Sequence, residues 1–291
     1  MADGASAQVT ELTADDHACL TFGESEELFD LTAAFVRDGL SGGLQVIWLS
    51  DADAEPAVGE LERRGIAAAA AVASGQMTAA GCEGRLVSGQ AFSAEAAIGW
   101  LAGQLASCAR QGFPGLRVAV DMSWALRPVT GIEQLPAFEE GIAAALAGST
   151  ASVLCQYDRE RFDPVTLASV AAFHTRQVAA ATYHADTVLR ICRQYAPPGI
   201  RIAGEIDYRA EKPLALALAE AVRLEAGLEV NMTALAFIDA HCTWLIADAA
   251  RTLALSHPVV LRCRPEVAAG FARLGLAGTD GIRLAVTGDG H

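Results

Sequence analysis

Lysine is nearly absent from this 291-residue chain: of 21 basic residues only Lys212 is a lysine, and the others are arginine. That scarcity removes the GxxxxGK[ST] phosphate loop and leaves no lysine for a Schiff base in the first 200 residues. Long apolar runs are missing too. Hydrophobic residues make up 52% of the chain and its mean hydropathy is +0.29, yet no stretch approaches the roughly 18 apolar residues that a membrane span requires. The seven cysteines (Cys19, Cys82, Cys108, Cys155, Cys192, Cys242 and Cys263) stand singly with no CxxC pair, a pattern of reduced thiols, several of them in strand cores. The N-terminus has neither a basic start nor an apolar core, so no secretory signal is expected, and residues 1–9 read as a disordered polar lead. A cytoplasmic location is the resulting expectation. Basic charge is outnumbered, 21 residues against 35 acidic ones, and the net charge of −14 disfavours nucleic acid and anionic membranes as partners. Proteins and small molecules remain.

The chain is long enough for about two domains at ~150 residues each. Internal repeats and low-complexity blocks are not apparent. In the first half, ACLTF (18–22), LQVIWL (44–49), a weak run at 85–88, LRVAVD (116–121), SVLCQY (152–157) and a last run at 187–192 read as strands. Helical patterns fall between them at about 25–40, 53–65, 66–74, 93–110, 132–147 and 165–180, with Ser25 a plausible N-cap. Apolar strands alternating with helices predict right-handed crossovers and a mainly parallel sheet covered by helices on both faces. Ligands of such sheets sit at the carboxyl ends of the strands, which here carry residues 23–27, 121–124 and 157–162.

Two prolines in Tyr195-Ala-Pro-Pro-Gly199 cannot continue a helix or donate to a sheet, so 195–199 reads as a linker between a domain at 10–194 and a domain at 200–291. The second half repeats the α/β pattern. IRIAGEID, LEVNM, the run ending at Phe237-Ile238-Asp239, PVVLRC and IRLAV read as strands around helices that include 211–226, with Pro265 opening a later one.

Residues 200–278 resemble a STAS domain, the fold of anti-sigma factor antagonists. The residues that carry the resemblance are Gly204-Glu205-Ile206-Asp207, Val230 to Leu235 leading into Phe237-Ile238-Asp239, and Phe271 to Leu276. The resemblance implies a phospho-switch at the start of a helix and a partner that is an anti-sigma factor, a kinase-like regulator or another STAS protein. The family's Asp-Ser-Ser-Gly pattern reads Asp239-Ala240-His241-Cys242 here, so the acid is kept while both hydroxyls are gone. His241 can then be a partner contact on a degenerate switch, a structural helix-start residue or a phosphohistidine. Thr243, the next hydroxyl, would need a re-registered loop.

Residues 15–194 resemble the MEDS sensory domain through Asp16-His17-Ala18-Cys19, Ser25-Glu26-Glu27, Arg117 to Trp124, Phe138-Glu139 and Val153 to Phe162. The resemblance implies a RecA-like α/β fold without its nucleotide loop. Asp121 replaces a glutamate common in that family. Where a phosphate loop would lie the chain reads GESEE, and three carboxylates at a helix start repel phosphate and compete with it for the same N–H groups.

His17, Cys19, Glu24, Asp121, Trp124, Tyr157, Asp158, Arg159 and Arg161 are the candidate ligand-lining residues. His17 and Cys19 share one strand face but are a poor metal signal alone, and no metal site is assigned. Trp124 is as readily packing, Cys155 reads as core, and Asp158, Arg159 and Arg161 are as readily a structural ion-pair network. The expected protein is non-catalytic, with a small-molecule or metabolic sensor in the first half and a partner-binding output in the second. Its rivals are a nucleotide-binding protein or enzyme at the RecA-like site, and a scaffold in a multi-STAS assembly. The ligand or cofactor is not identified by sequence, and a homodimer is open to it.

Overall fold

The computed structural model describes residues 7–51, 54–224 and 227–287. The chain divides into two compact units, Met1–Ala179 and Ala180–His291. In the first, β1 (His17–Phe22), β2 (Gln45–Ser50), β3 (Met77–Gly81), β4 (Val87–Ser88), β5 (Ala91–Phe92), β6 (Leu116–Asp121), β7 (Ala151–Asp158) and β8 (Arg176–Val178) are interspersed with helices. These are α1 (Ser25–Ser41), α2 (Ala54–Arg63), α3 (Ala68–Ala73), α4 (Ala94–Arg110), α5 (Leu135–Leu146) and α6 (Pro164–Ala171). The main sheet has the order β3-β2-β6-β7-β1-β8 and every pairing in it is parallel. The unit is thus the α/β layer structure that the apolar runs predict, and β2 is buried along its whole length as a strand covered on both faces must be.

Period-two alternation decides which side chains meet. On one face Cys19 of β1 and Val153, Cys155 and Tyr157 of β7 join a core with Leu101, Trp124, Phe138 and Ile142. On the other face, Gln156 of β7 donates to the Thr32 hydroxyl of α1 at 2.6 Å.

Three differences from the sequence expectations arise from pairing between segments distant in the chain. The helix expected over 165–180 ends at Ala171, and the chain turns back to pair Arg176–Val178 with β1. Thr175 holds that return, its N–H donating to the His17 carbonyl at 2.8 Å and its Oγ1 accepting from the His17 N–H at 3.1 Å. Closing the open edge of β1 outweighs a weak helical preference. Of the expected disordered lead, residues 1–6 lie outside the described residues, while Ala7 bridges Val178 and Val9 is buried under a 3-10 turn. The segment at 77–81 joins the sheet as β3 through backbone pairing with β2, which its Thr, Ala and Gly side chains do not advertise.

The second unit holds β9 (Thr182–Ala185), β10 (Leu189–Tyr195), β11 (Pro198–Ile206), β12 (Leu228–Met232), β13 (Leu235–Ile238), β14 (Val259–Cys263) and β15 (Ile282–Val286), with α7 (Glu211–Leu224), α8 (Ala240–Ala254) and α9 (Pro265–Arg273). Its sheet is mixed, in the order β15-β14-β12-β11-β10-β9, with β13 also paired to β11. The boundary expected at 195–199 is corrected here. Tyr195 pairs with Pro198, so the two prolines punctuate a tight hairpin between antiparallel β10 and β11, and the run expected to end the first domain belongs to the second sheet. A hairpin turn and a linker share the same residues, and only pairing tells them apart. The first part of β11 pairs with β12 and its last part with β13, with a register shift at Gly204/Glu205. Gly204 has φ 95°, and a Cβ there would meet the Val188 carbonyl oxygen at 2.0 Å. Among the described residues no helix is long and apolar enough to cross a membrane.

Candidate functional site

On the α5 face of the first sheet, the fold gathers polar side chains from four places into a fully buried centre. His17 opens β1, Cys155 and Tyr157 lie on β7, Glu139 projects from α5, and His174 follows α6. The side chains of His17, Glu139 and His174 are all 0% exposed. Glu139 Oε2 lies 3.1 Å from His17 Nε2, 3.3 Å from His174 Nε2 and 3.6 Å from Cys155 Sγ, and Cys155 Sγ lies 3.5 Å from His17 Nε2. Tyr157 donates its hydroxyl to the other oxygen, Glu139 Oε1. The two imidazole rings stack at 4.1 Å between centroids, tilted by 39°. His174 Nδ1 lies 2.8 Å from the Val170 carbonyl oxygen, while His17 Nδ1 and His174 Nε2 have no hydrogen-bond partner.

Burial alone would push the Glu139 carboxyl up, but the His17 hydrogen bond, the neighbouring imidazoles and the Tyr157 hydroxyl outweigh it and hold it below the usual range. Burial, with Glu139 next, raises the Cys155 thiol and the Tyr157 phenol well above theirs, and the same two causes push Cys19 up to about 12. Burial, with His17 beside it, brings His174 down to about 4 against the pull of Glu139. At neutral pH the centre therefore contains an ionised carboxylate, a neutral His174 and protonated thiols.

His17, Cys19 and Tyr157 are brought together here, with Glu139, Cys155 and His174, which were not among the candidate ligand residues. The thiol that lies within reach of His17, Glu139 and His174 is Cys155, aligned with Cys19 across β1 and β7. A signal for Glu139 exists: Leu135, Phe138, Glu139, Ile142 and Leu146 form one buried helical stripe, and an acid on an apolar stripe is out of place. Trp124 is 0% exposed and stacks on Phe92 at 4.7 Å, which makes it packing.

The remaining candidates lie at the carboxyl end of the sheet. Asp121 accepts from the Ser123 N–H at 2.9 Å and is pushed up by burial against that bond. Asp158 accepts from the Glu160 N–H at 2.9 Å. Arg161 is near enough to Asp121 to lower its carboxyl. Glu24, rather than Ser25, is the N-cap of α1. Glu27 is buried, accepts from the Gly23 N–H at 3.2 Å and lies 3.7 Å from Arg159, whose guanidinium covers Gly23. The N-terminus of α1, where a phosphate loop would act, is filled by the chain's own carboxylate and arginine.

In the second unit Asp239 caps α8, accepting from the Cys242 N–H at 2.7 Å and from the Tyr208 N–H at 2.8 Å. Burial pushes its carboxyl up, but these bonds win and hold it below its usual value. Ala240 and His241 are exposed, and His241 Nε2 lies 3.2 Å from Glu211. Cys242 and Thr243 correct the expectation of a five-residue surface, because both are buried. The Cys242 thiol donates to the Asp207 carbonyl at 3.2 Å and the Thr243 hydroxyl to the Asp239 carbonyl at 2.7 Å. Around the exposed part stand Tyr208, Phe237 and Trp244, at 62%, 51% and 48% exposure.

Residues 16–175, more than half of the chain, match the family described as MEDS, the methanogen/methylotroph, DcmR sensory domain. No curated protein matches. Among solved structures the chain is similar to a KaiC-like protein from the hyperthermophilic archaeon Pyrococcus horikoshii OT3, at 12% identity and a TM-score of 0.47, over 66% of this chain and 80% of that one. The matched segment contains all six members of the buried centre, His17, Cys19, Glu139, Cys155, Tyr157 and His174, and the chain belongs to the MEDS family.

Proposed function

We propose that this chain is a non-catalytic signalling protein, in which the MEDS unit senses a small molecule or metabolic state and the second unit relays the signal as a STAS-like partner-binding module. Membership of a sensory family over residues 16–175 carries the sensing role. The α1 N-terminus argues against the rival nucleotide enzyme, since Glu27 and Arg159 take the place of phosphate and its cation, and the first unit has no lysine. The closed centre around Glu139 also leaves no solvent-facing position for a substrate.

For the output, support comes from Asp239, a capped acid at a strand-to-helix junction flanked by exposed Tyr208, Phe237 and Trp244, an aromatic surface suited to a protein partner. His241 and Ala240 leave that surface without an acceptor hydroxyl, and Thr243 is used within the helix start, so the signal enters through the sensor unit and not through a kinase acting on this loop. Sensing then acts by population shift: a ligand that prefers one state of the chain changes how often the Asp239 surface is available.

The test is direct binding of the intact chain to each anti-sigma factor kinase and STAS protein of its own genome, repeated with Asp239→Ala and Trp244→Ala. Binding to at least one of them, weakened at least tenfold by either change, is expected. Binding to none of them removes the STAS-like output. Calorimetric titration with ATP and Mg²⁺ separates the rival, for which submillimolar binding with turnover is the deciding result.

A further inference from the structure

We propose that His17 Nε2, Glu139 Oε2, Cys155 Sγ and His174 Nε2 hold one divalent transition-metal ion of the zinc class in a closed four-coordinate site. The inference rests on the geometry of the first unit and stands or falls separately from partner binding. Zinc bonds of about 2.0–2.2 Å to nitrogen or oxygen and about 2.3 Å to sulfur, set at tetrahedral angles, separate N and O donors by roughly 3.3 Å and sulfur from either by roughly 3.5 Å. Four of the separations here are 3.1, 3.3, 3.5 and 3.6 Å, and all four donors lie within 4.8 Å of one another.

Proton placement gives an independent argument. His174 Nδ1 faces the Val170 carbonyl at 2.8 Å, so it is the protonated nitrogen, and Nε2 presents a bare lone pair to Glu139 Oε2. A lone pair and a carboxylate oxygen 3.3 Å apart in a dry interior repel each other, and a cation bound to both reverses the sign. Among the described residues no arginine or lysine pairs with Glu139.

Charge closes as well. A divalent ion with one carboxylate, one thiolate and two neutral imidazoles is neutral overall, which is what a fully buried site requires. Uptake forms the four metal–ligand bonds, moves the proton that His17 Nε2 donates to Glu139 over to His17 Nδ1, and releases the Cys155 thiol proton to solvent, so affinity rises with pH.

Outer contacts fit the same assignment. Val170 orients His174, and Tyr157 donates to the Glu139 oxygen that is not a ligand. Nitrogen and sulfur donors exclude magnesium and calcium. With four protein ligands and no exposed side, the ion is not a water-activating catalyst. It ties the start of β1 and the segment after α6 to α5 and β7, and its thiolate makes that tie sensitive to oxidants.

The experiment uses the full chain, purified without chelator, with elemental analysis followed by replacement of the ion with Co²⁺. One equivalent of metal per chain is expected, together with intense visible bands of tetrahedral cobalt and a thiolate-to-cobalt charge-transfer band. Cys155→Ser should abolish that band while Cys19→Ser keeps it. Losing a group that orients a metal ligand costs about 10–100-fold in affinity, so Tyr157→Phe is expected in that range and His174→Ala beyond it. His17→Ala should lose least of the ligand changes, because His17 Nδ1 has no outer partner. Should a variant not fold, the wild-type chain still decides: a folded chain that takes up neither Zn²⁺ nor Co²⁺ stoichiometrically, or binds cobalt without a charge-transfer band, overturns the proposal.

Discussion

The buried carboxylates of Glu229 in the second unit and Glu139 in the first solve the same electrostatic problem in opposite ways. Glu229 on β12 is 4% exposed and is held by the Arg262 guanidinium in a two-pronged pair at 2.8 and 3.0 Å, with Gln194 donating to it at 3.2 Å and Asn231 donating in turn to Gln194. Glu139 is 0% exposed, and its polar partners among the described residues are imidazoles, a thiol and a phenol. A carboxylate with its own arginine is a finished structural element. A carboxylate whose neighbours are all metal-ligating types, with no fixed cation, is a place where something from outside completes the charge balance.

The largest expected effects test whether that contrast is real. Arg262→Ala strands the Glu229 charge and should destabilise the second unit by about 3 kcal/mol, at the lower end for a buried pair because Arg262 keeps 24% exposure. Urea unfolding measures it, and replacement of both partners by methionine should restore most of the loss. A chelator should leave this unit unchanged but lower the unfolding temperature of the first unit, and Glu139→Gln should remove the chelator effect.

Next comes pH. His174 has a folded value of about 4 against an ordinary 6.5, so the unfolded chain binds the extra proton first. Metal-free protein should keep this contribution in full above about pH 6.5 and lose up to roughly 3 kcal/mol as pH falls towards 4, a slope that His174→Gln removes. Asp239 acts in a different window: its folded value is lowered, so its contribution is complete above the unfolded carboxylate value of about 3.9 and fades only below that.

Asp239 is a third solution, a carboxylate satisfied by backbone N–H groups. Asp239→Ala removes the cap on α8 and should cost about 1–2 kcal/mol by thermal unfolding, with Asp239→Asn keeping most of it. Smallest of all, His241→Ala breaks a half-exposed contact with Glu211 and should change stability by less than about 0.5 kcal/mol. It is therefore a clean probe of partner binding, whereas Asp239→Ala mixes binding with stability.

Much of this was legible in the chain itself. The runs LQVIWL, LRVAVD and SVLCQY announced buried parallel strands because a strand covered on both faces has no polar side to show. GESEE announced a helix start hostile to phosphate, and Asp239-Ala240-His241-Cys242 showed no hydroxyl after the acid that caps α8. Other features depended on contacts distant in sequence. The Cys155–His17 contact spans 138 residues, and the return of Thr175 to His17 spans 158. Local propensity carried no trace of either, and it read a hairpin turn as a linker and extended α6 through His174.

The amino-acid sequence by itself determined the layered α/β class, a first unit without lysine and the absence of a hydroxyl at positions 240–242, because each is a property of residue type and short-range period. Tertiary structure alone decided which of two adjacent glutamates, Glu139 or Glu140, turns inward, and that Cys155 rather than Cys19 completes the donor group. The phase of α5 over the sheet and the register of β1 on β7 set those choices, and both are fixed only when the layers pack.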